Sequence, residues 1–152
     1  MKGTVMETLK IKKVRDGAVV PKRATVGSAG IDLCACIDEP LTVKARDHAF
    51  IPTGIAIALP SEEYGAFVFA RSGLAIKHGL GLLNGVGVID SDYRGEICVG
   101  IVNQFDEDYT ISPSERIAQL VIMPISLMPT EEAESLDETD RGAGGFGSTG
   151  KN

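Results

Sequence analysis

Short stretches in which hydrophobic and polar residues alternate recur along this chain. The clearest are residues 9–12, 55–59 and 97–101, and a period of two is typical of strands that bury one face. Two apolar runs, 65–70 and 117–125, are too short for convincing helices or are interrupted by proline. The pattern therefore predicts a fold built from many short strands.

Turn-forming residues separate these stretches. They are Pro40, Pro52 with Gly54, Pro60, Gly79 with Gly81, residues 106–108 and residues 112–114. Short strands joined by such turns indicate an all-β barrel or sandwich, and a content of 18 glycines with only 5% aromatic residues agrees with that fold class. One short helix is predicted to start near Ser72, which is a suitable N-cap residue.

The composition changes near residue 130. Residues 131–140 carry six acidic residues and no basic one, and a glycine-rich stretch follows them. We therefore predict a core domain over 1–130 and an acidic linker with a glycine-rich arm over 131–152. The arm is explained either by disorder or by a flexible flap that orders over a ligand.

The charge and the cysteines narrow the class of protein. A net charge of −6 disfavours nonspecific binding to nucleic acid, and no apolar stretch is long enough for a signal peptide or a membrane span. The three cysteines, Cys34, Cys36 and Cys98, suit reduced packing residues in a cytoplasmic protein better than disulfides or a zinc site. Both histidines, His48 and His78, are interpreted as structural.

The glycine-rich stretch contains two misleading motifs. Residues 142–147 fit the dinucleotide pattern GxGxxG, but no strand precedes them and we expect no helix after them. Gly145, Gly150 and Lys151 have P-loop spacing, but Asn152 stands where that loop requires Ser or Thr. What remains is a row of backbone amides that can approach phosphate closely.

Five segments, taken together and in order, resemble the motifs of the trimeric dUTP diphosphatase (dUTPase) family. They are residues 29–33, 71–75, 84–95, 115–120 and 141–147. The resemblance implies a jelly-roll-like distorted β-barrel that forms a homotrimer with active sites shared between subunits. It also implies hydrolysis of dUTP to dUMP and pyrophosphate, with Mg²⁺ on the triphosphate and the C-terminal arm closing over the site.

The resemblance assigns the catalytic roles to two residues. Asp90 matches the carboxylate that activates the water attacking the α-phosphorus, and Arg141 matches an arginine finger on the triphosphate. From its own segment alone, Asp90 is explained equally well as a turn residue, together with Asp92, in a hairpin.

The same resemblance assigns the contacts with the nucleoside. Residues 84–93 resemble a uracil-binding hairpin, with base contacts from Asn84, Val88, Ile89 and Asp90 and a backbone contact from Cys98. Tyr93 matches the aromatic residue that packs against the deoxyribose and excludes a 2′-hydroxyl, although a packing role is the usual one for an isolated tyrosine. Phe146, followed by Gly147, would stack over the uracil.

The phosphate contacts are implied for residues far apart in the chain. Arg71, Ser72 and Gly73 lie where the predicted helix begins, and Ser72 can be a helix cap as well as a phosphate ligand. Gln119 matches a phosphate-binding glutamine. Asp32 would support Mg²⁺ through water, and Arg116 is expected to pair with a carboxylate such as Asp32.

Two other functions compete with dUTP hydrolysis. The first is a dCTP deaminase or a bifunctional deaminase-diphosphatase of the same fold, in which a catalytic Glu would stand where this chain has Gly100, and a second Ser would often stand at Gly73. The second is a jelly-roll trimer that binds a nucleotide without turnover, for which Asp90, Arg141 and Phe146 would be dispensable.

Overall fold

The chain, described here over residues 7–146 by a computed structural model, is mostly β-structure. The elements are β1 Lys10–Lys13, β2 Ile31–Cys34, β3 Leu41–Val43, β4 His48–Pro52, β5 Ile55–Ala58, β6 Tyr64–Ala70, α1 Ser72–His78, β7 Leu80–Leu82, β8 Gly87–Ile89, β9 Cys98–Asn103, β10 Tyr109–Ile111 and β11 Arg116–Pro124. The β-rich fold with one short helix predicted from the sequence is confirmed.

The strands pair in four antiparallel sheets. β1 pairs with β5, β10 pairs with β3, a three-stranded sheet has the order β4-β9-β7, and a four-stranded sheet has the order β2-β11-β6-β8. Within residues 7–146 these sheets do not join into a closed barrel, so the predicted distorted barrel is confirmed only in its β content. Most strands have three to five residues. Successive strands often belong to different sheets, so the hydrogen bonds between strands do not run continuously around the fold.

A single hydrophobic core lies between the sheets. Its most deeply buried side chains include Leu33, Ile51, Ile101, Ile111 and Leu120. Burial of such side chains stabilises the fold by about 1.5–3 kcal/mol each, so the core can hold the loops around it in place.

β5 corrects one detail of the hydrophobic pattern. Residues 55–59 were expected to bury one face only, yet Ile55, Ala56 and Ile57 are all buried. Alternation of isoleucine and alanine does not mark one buried face here, because the small side chain of alanine also fits against the core.

The helix begins one residue earlier than a cap at Ser72 implies. Arg71 is the N-cap, with extended backbone angles and no side-chain cap bond, and Ser72 is the first helical residue. The prediction of Ser72 as the N-cap is therefore wrong. The helix ends at His78, before Gly79 in the left-handed region at φ 69°, and the His78 ring packs at 4.7 Å from Tyr109, which agrees with a structural role.

The chain from residue 125 to residue 146 contains neither helix nor strand, and most of it is exposed. Leu127, Met128 and Leu136 are more than half exposed there. The last strand ends at Pro124, and the predicted boundary at residue 130 stays a prediction. No helix in the described part of the chain is long and apolar enough to cross a membrane.

Candidate active site

A cavity of about 240 Å³ opens beside β8 and the start of β9, and we call it the hairpin pocket. Its lining includes all the residues expected to contact the nucleoside within the hairpin, namely Asn84, Val88, Ile89, Asp90, Tyr93 and Cys98. The structure therefore brings together the whole predicted base and sugar set, apart from the C-terminal arm.

Glycines and a tight turn give the hairpin pocket its shape. Gly85 has a positive φ of 72°, and its N–H donates to the Leu82 carbonyl at 3.0 Å. Gly87 lies against Val68 so closely that an added Cβ would come within 3.0 Å of the valine Cβ. The missing side chain lets β8 approach β6 closely. β8 is the edge strand of the four-stranded sheet.

The turn that carries Tyr93 is fixed by hydrogen bonds. The Tyr93 N–H donates to the Asp90 carbonyl at 3.1 Å, and the Tyr93 hydroxyl donates to the Glu96 carbonyl at 3.0 Å. Arg94 donates to the Ser91 carbonyl at 2.7 Å. Asp90 and Tyr93 are thus held at opposite ends of one tight turn.

An ion pair that was not predicted joins the wall of the hairpin pocket to the N-terminal segment. Glu96 lines the hairpin pocket, and Arg15 Nε donates to Glu96 Oε1 at 2.6 Å. The hydrogen bond from Arg15 lowers the pKa of Glu96, and burial opposes it. Glu96 could have been found from its position just after Gly95 in the third motif, but no local signal points to Arg15, which lies 81 residues away.

The cysteines divide into different environments. Cys34 is buried, as expected for a packing residue, whereas Cys36 is half-buried and Cys98 is exposed and lines the hairpin pocket. The prediction that Cys98 is a packing residue is therefore wrong, because it occupies the first position of β9 where the strand leaves the core. Partial burial raises the pKa of the Cys98 thiol, and Glu96 adds to the effect.

A second cavity, which we call the arginine pocket, gathers the predicted phosphate and metal residues. It has a volume of about 360 Å³ and its lining includes Asp32, Arg71, Ser72, Gly73, Arg116 and Gln119. These residues come from three distant parts of the chain, and the pairing of β11 with both β2 and β6 brings them together.

Asp32 joins the two guanidinium groups of the arginine pocket. Its Oδ1 accepts from Arg71 Nε at 3.0 Å, and its Oδ2 accepts from Arg116 at 3.2 Å. The expected pairing of Arg116 with Asp32 is confirmed, and Arg71 is a further partner that was not predicted. Two guanidiniums against one carboxylate leave a net positive charge that can attract phosphate.

Gln119 is held by a backbone group and by close packing. Its Nε2 donates to the Ala70 carbonyl at 2.9 Å, and its side chain lies against Gly30, where an added Cβ would come within 2.7 Å of Gln119 Oε1. The glutamine therefore has a fixed position at the floor of the arginine pocket.

The two pockets have no lining residue in common. The two predicted arm residues lie in neither pocket: Arg141 Nε donates to the Gly144 carbonyl at 2.7 Å, and Phe146 is fully exposed. Gly147 lies outside the described residues. One chain thus brings the predicted site residues together in two separate groups.

Comparison with known proteins identifies the family. The dUTPase family model matches residues 16–150. The deoxyuridine 5′-triphosphate nucleotidohydrolase of Desulfitobacterium hafniense is 56% identical over 86% of this chain and 87% of its own length. The chain belongs to the dUTPase family.

Solved dUTPases share the fold. A variant dUTPase of Staphylococcus bacteriophage 80alpha, determined with dUpNHpp, covers 95% of this chain and 99% of its own with a TM-score of 0.85 at 27% identity. A variant dUTPase from phage phi11 of S. aureus, described as coordinating a structural Mg(II) ion, covers 84% of this chain and 97% of its own with a TM-score of 0.75. At 24% identity the second likeness concerns the fold alone.

The described side chains offer few direct ligands for a metal ion. No group of three His, Cys, Asp or Glu side chains within residues 7–146 could hold a metal. Asp32 is the acidic residue of the arginine pocket, and both its oxygens face guanidinium groups. Mg²⁺ takes phosphate oxygens and water readily, so one carboxylate in this pocket is compatible with Mg²⁺ held mainly by such ligands.

Proposed function

We propose that this chain hydrolyses dUTP to dUMP and pyrophosphate. The observation that carries the proposal is the hairpin pocket, where Asn84, Val88, Ile89, Asp90 and Tyr93 line one cavity. Membership of the dUTPase family supports it independently.

The edge strand β8 supplies the means of recognising the base. Because β8 pairs with β6 on one side and is last in its sheet, its other side can present backbone N–H and C=O groups to a ligand. The uracil edge carries alternating donors and acceptors that such a strand can pair with. Fixed groups of this kind discriminate strongly against a base that leaves them unpaired.

Tyr93 closes the sugar end of the hairpin pocket. The residue is 46% exposed, which leaves room for a deoxyribose to pack against the ring while the hydroxyl stays bonded to the Glu96 carbonyl. We assign to this ring the exclusion of a ribose 2′-hydroxyl.

Asp90 acts as the general base in this proposal. The water oxygen attacks the α-phosphorus while its proton passes to the Asp90 carboxylate. The bond from the α-phosphorus to the bridging oxygen breaks, and pyrophosphate leaves with that electron pair. Arg71, Ser72, Gly73 and Gln119 bind phosphate oxygens in the arginine pocket, and Arg141 adds positive charge when the arm closes with Phe146 and Gly147 over the base.

We propose that a complete site is assembled from more than one copy of the chain. The hairpin pocket and the arginine pocket share no lining residue. We propose a homotrimer of jelly-roll-like distorted barrels over 1–130 in which one subunit contributes the hairpin pocket of a site and a neighbouring subunit contributes its arginine pocket. The arm 131–152 of a third subunit closes the site. Exposed side chains such as Phe50, 69% accessible in the single chain, are candidates for burial between subunits.

Mg²⁺ is the proposed cofactor. When bound it neutralises charge on the triphosphate and orients it, and Asp32 would hold its water ligands.

We also propose a cytoplasmic location, since Cys34, Cys36 and Cys98 are all free thiols and reduced cysteines are typical of that compartment.

The deaminase alternative fails at Gly100. Gly100 lines the hairpin pocket, but a Cβ there would lie 3.3 Å from the Leu83 Cβ, and residues 97–102 carry no acidic side chain. The position that would hold the catalytic acid of a deaminase is therefore apolar and closely packed.

Pyrophosphate release tests the proposal directly. The protein is incubated with Mg²⁺ and dUTP, dCTP, dTTP or UTP in parallel, and the nucleoside product is identified. Conversion of dUTP alone to dUMP supports the proposal. A deaminated product from dCTP would assign the chain to the deaminase branch, and binding of dUTP without turnover would leave a nucleotide-binding protein.

A further inference from the structure

The wall of the hairpin pocket beside Tyr93 is fixed from a distant part of the chain. Glu96 Oε1 accepts from Arg15 Nε at 2.6 Å and from the Gly54 N–H at 2.9 Å. The backbone carbonyl of the same Glu96 accepts from the Tyr93 hydroxyl at 3.0 Å. One residue thus connects the tyrosine to the N-terminal segment and to the turn between β4 and β5.

The chain just after Glu96 is rigidly anchored. The Ile97 carbonyl accepts from the Thr53 N–H at 3.1 Å and from Thr53 Oγ1 at 2.6 Å, and the Ile97 N–H donates to the Ile55 carbonyl at 2.9 Å. Thr53 is only 1% exposed. Glu96 therefore lies between the exposed turn of Tyr93 and the buried, hydrogen-bonded Ile97.

The tyrosine ring lies over its own turn. A Cβ added to Gly95 would overlap the Tyr93 hydroxyl and the ring carbon that bears it. The position of the ring consequently depends on where Glu96 holds the turn below it. The side chain of Glu96 is 19% exposed, so water screens its bond with Arg15 only in part.

We infer that Arg15 and Glu96 are positioning residues for sugar selection, because they hold the Tyr93 ring where it excludes a 2′-hydroxyl. The inference rests on the proposed function. The Tyr93 ring can exclude a 2′-hydroxyl only when it cannot shift by about 1 Å to make room for the extra oxygen atom. Neither residue needs to contact the nucleotide for this role.

The test compares dUTP with UTP in matched variants. Arg15→Ala and Glu96→Ala are expected to lower the ratio of kcat/KM for dUTP to that for UTP by about tenfold, mainly through faster UTP hydrolysis. Arg46→Ala and Asp106→Ala are the controls, because Arg46 Nε and Asp106 Oδ1 form the same kind of pair at 2.7 Å outside both pockets. The controls should keep the wild-type ratio.

A purely structural bridge gives a different result. In that case the variants would have a lower Tm, and their kcat/KM values for dUTP and UTP would fall in parallel. If wild type hydrolyses dUTP and the variants keep its ratio of the two kcat/KM values, the inference is overturned while the proposed function stands. A wild type that hydrolyses no nucleotide overturns the proposed function and the inference with it. If Glu96→Ala does not fold, Arg15→Ala carries the test, since the Arg15 side chain is 52% exposed.

Discussion

The hairpin pocket and the arginine pocket are built in different ways. The hairpin pocket comes largely from one continuous stretch of chain, residues 82–100, and is shaped by backbone hydrogen bonds and glycines. The arginine pocket comes from segments up to about ninety residues apart and is held by ion pairs around Asp32.

This difference suits the two parts of a nucleotide. A base has a fixed pattern of donors and acceptors, and rigid backbone groups can match it. A triphosphate carries a high negative charge on a flexible chain of phosphates. Guanidinium groups have several N–H donors each and can keep hydrogen bonds to its oxygens as it moves. We therefore expect changes in the hairpin pocket to act on chemistry and selectivity, and changes in the arginine pocket to act on binding and stability.

The largest expected effect is the loss of the proposed base. Asp90→Asn should keep binding of a non-hydrolysable dUTP analogue and reduce kcat by about a thousandfold or more, because the amide cannot take a proton from water. Pyrophosphate release and calorimetry measure the two quantities. Asp92→Asn, two residues along the same turn, is the control and should stay close to wild type. Equal losses in both variants would mean that the carboxylates only shape the turn.

Removal of the arm should separate catalysis from folding. A chain ending at Asp140 loses Arg141 and Phe146, and we expect kcat/KM to fall by about a hundredfold or more while Tm changes little, because residues 141–146 are largely exposed. Arg141→Lys keeps the charge but not the planar guanidinium and should lie between the two. A large fall in Tm on truncation would show that the arm belongs to the core.

Asp32→Ala should affect stability and binding together. The substitution leaves the guanidiniums of Arg71 and Arg116 facing each other without their shared carboxylate, and we expect a loss of about 1–2 kcal/mol in the free energy of unfolding and a higher KM for dUTP. Chemical denaturation and steady-state kinetics test it, with Asp38→Ala on an exposed turn as the control. An unchanged free energy of unfolding together with an unchanged KM would contradict the role of Asp32 in both respects.

The smallest expected effect is a pH dependence at Glu96. Its pKa is lowered in the folded protein, chiefly by Arg15, so its stabilising contribution is present above the ordinary pKa of Glu and is lost as pH falls through the depressed value. Wild type should therefore melt higher than Glu96→Gln at neutral pH, and the gap should close in acid. A gap that stays constant down to pH 3 would contradict the assignment.

The residues of the hairpin pocket were predicted through the resemblance of residues 84–93 to a family motif, which can be read in the sequence because its parts are consecutive. The structure adds the roles of Gly85 in the turn and of Gly87 in the close approach of two strands. The two residues that were missed, Arg15 and Glu96, meet through a contact between segments 81 positions apart. No periodicity or local motif carries such a contact.

The arginine pocket was only partly predictable. The pairing of Arg116 with Asp32 was expected from charge, but the second partner, Arg71, follows from the register that places β11 between β2 and β6. Strand content was predicted well by alternation and turns. The arrangement of strands in four sheets was not, because pairing between distant strands depends on the packing of the whole core.

A subunit-mixing experiment tests the central claim that one chain contributes the hairpin pocket and another the arginine pocket. Asp90→Asn and Arg71→Gln, each expected to lose most of its activity at subsaturating dUTP, are unfolded, mixed in equal amounts and refolded, and native mass spectrometry verifies mixed trimers. Random assembly should restore about one quarter of the wild-type sites, because each intact site needs one sound pocket from each parent. Activity that stays at the level of the two parents, despite mixed trimers, would show that each site is built within a single chain.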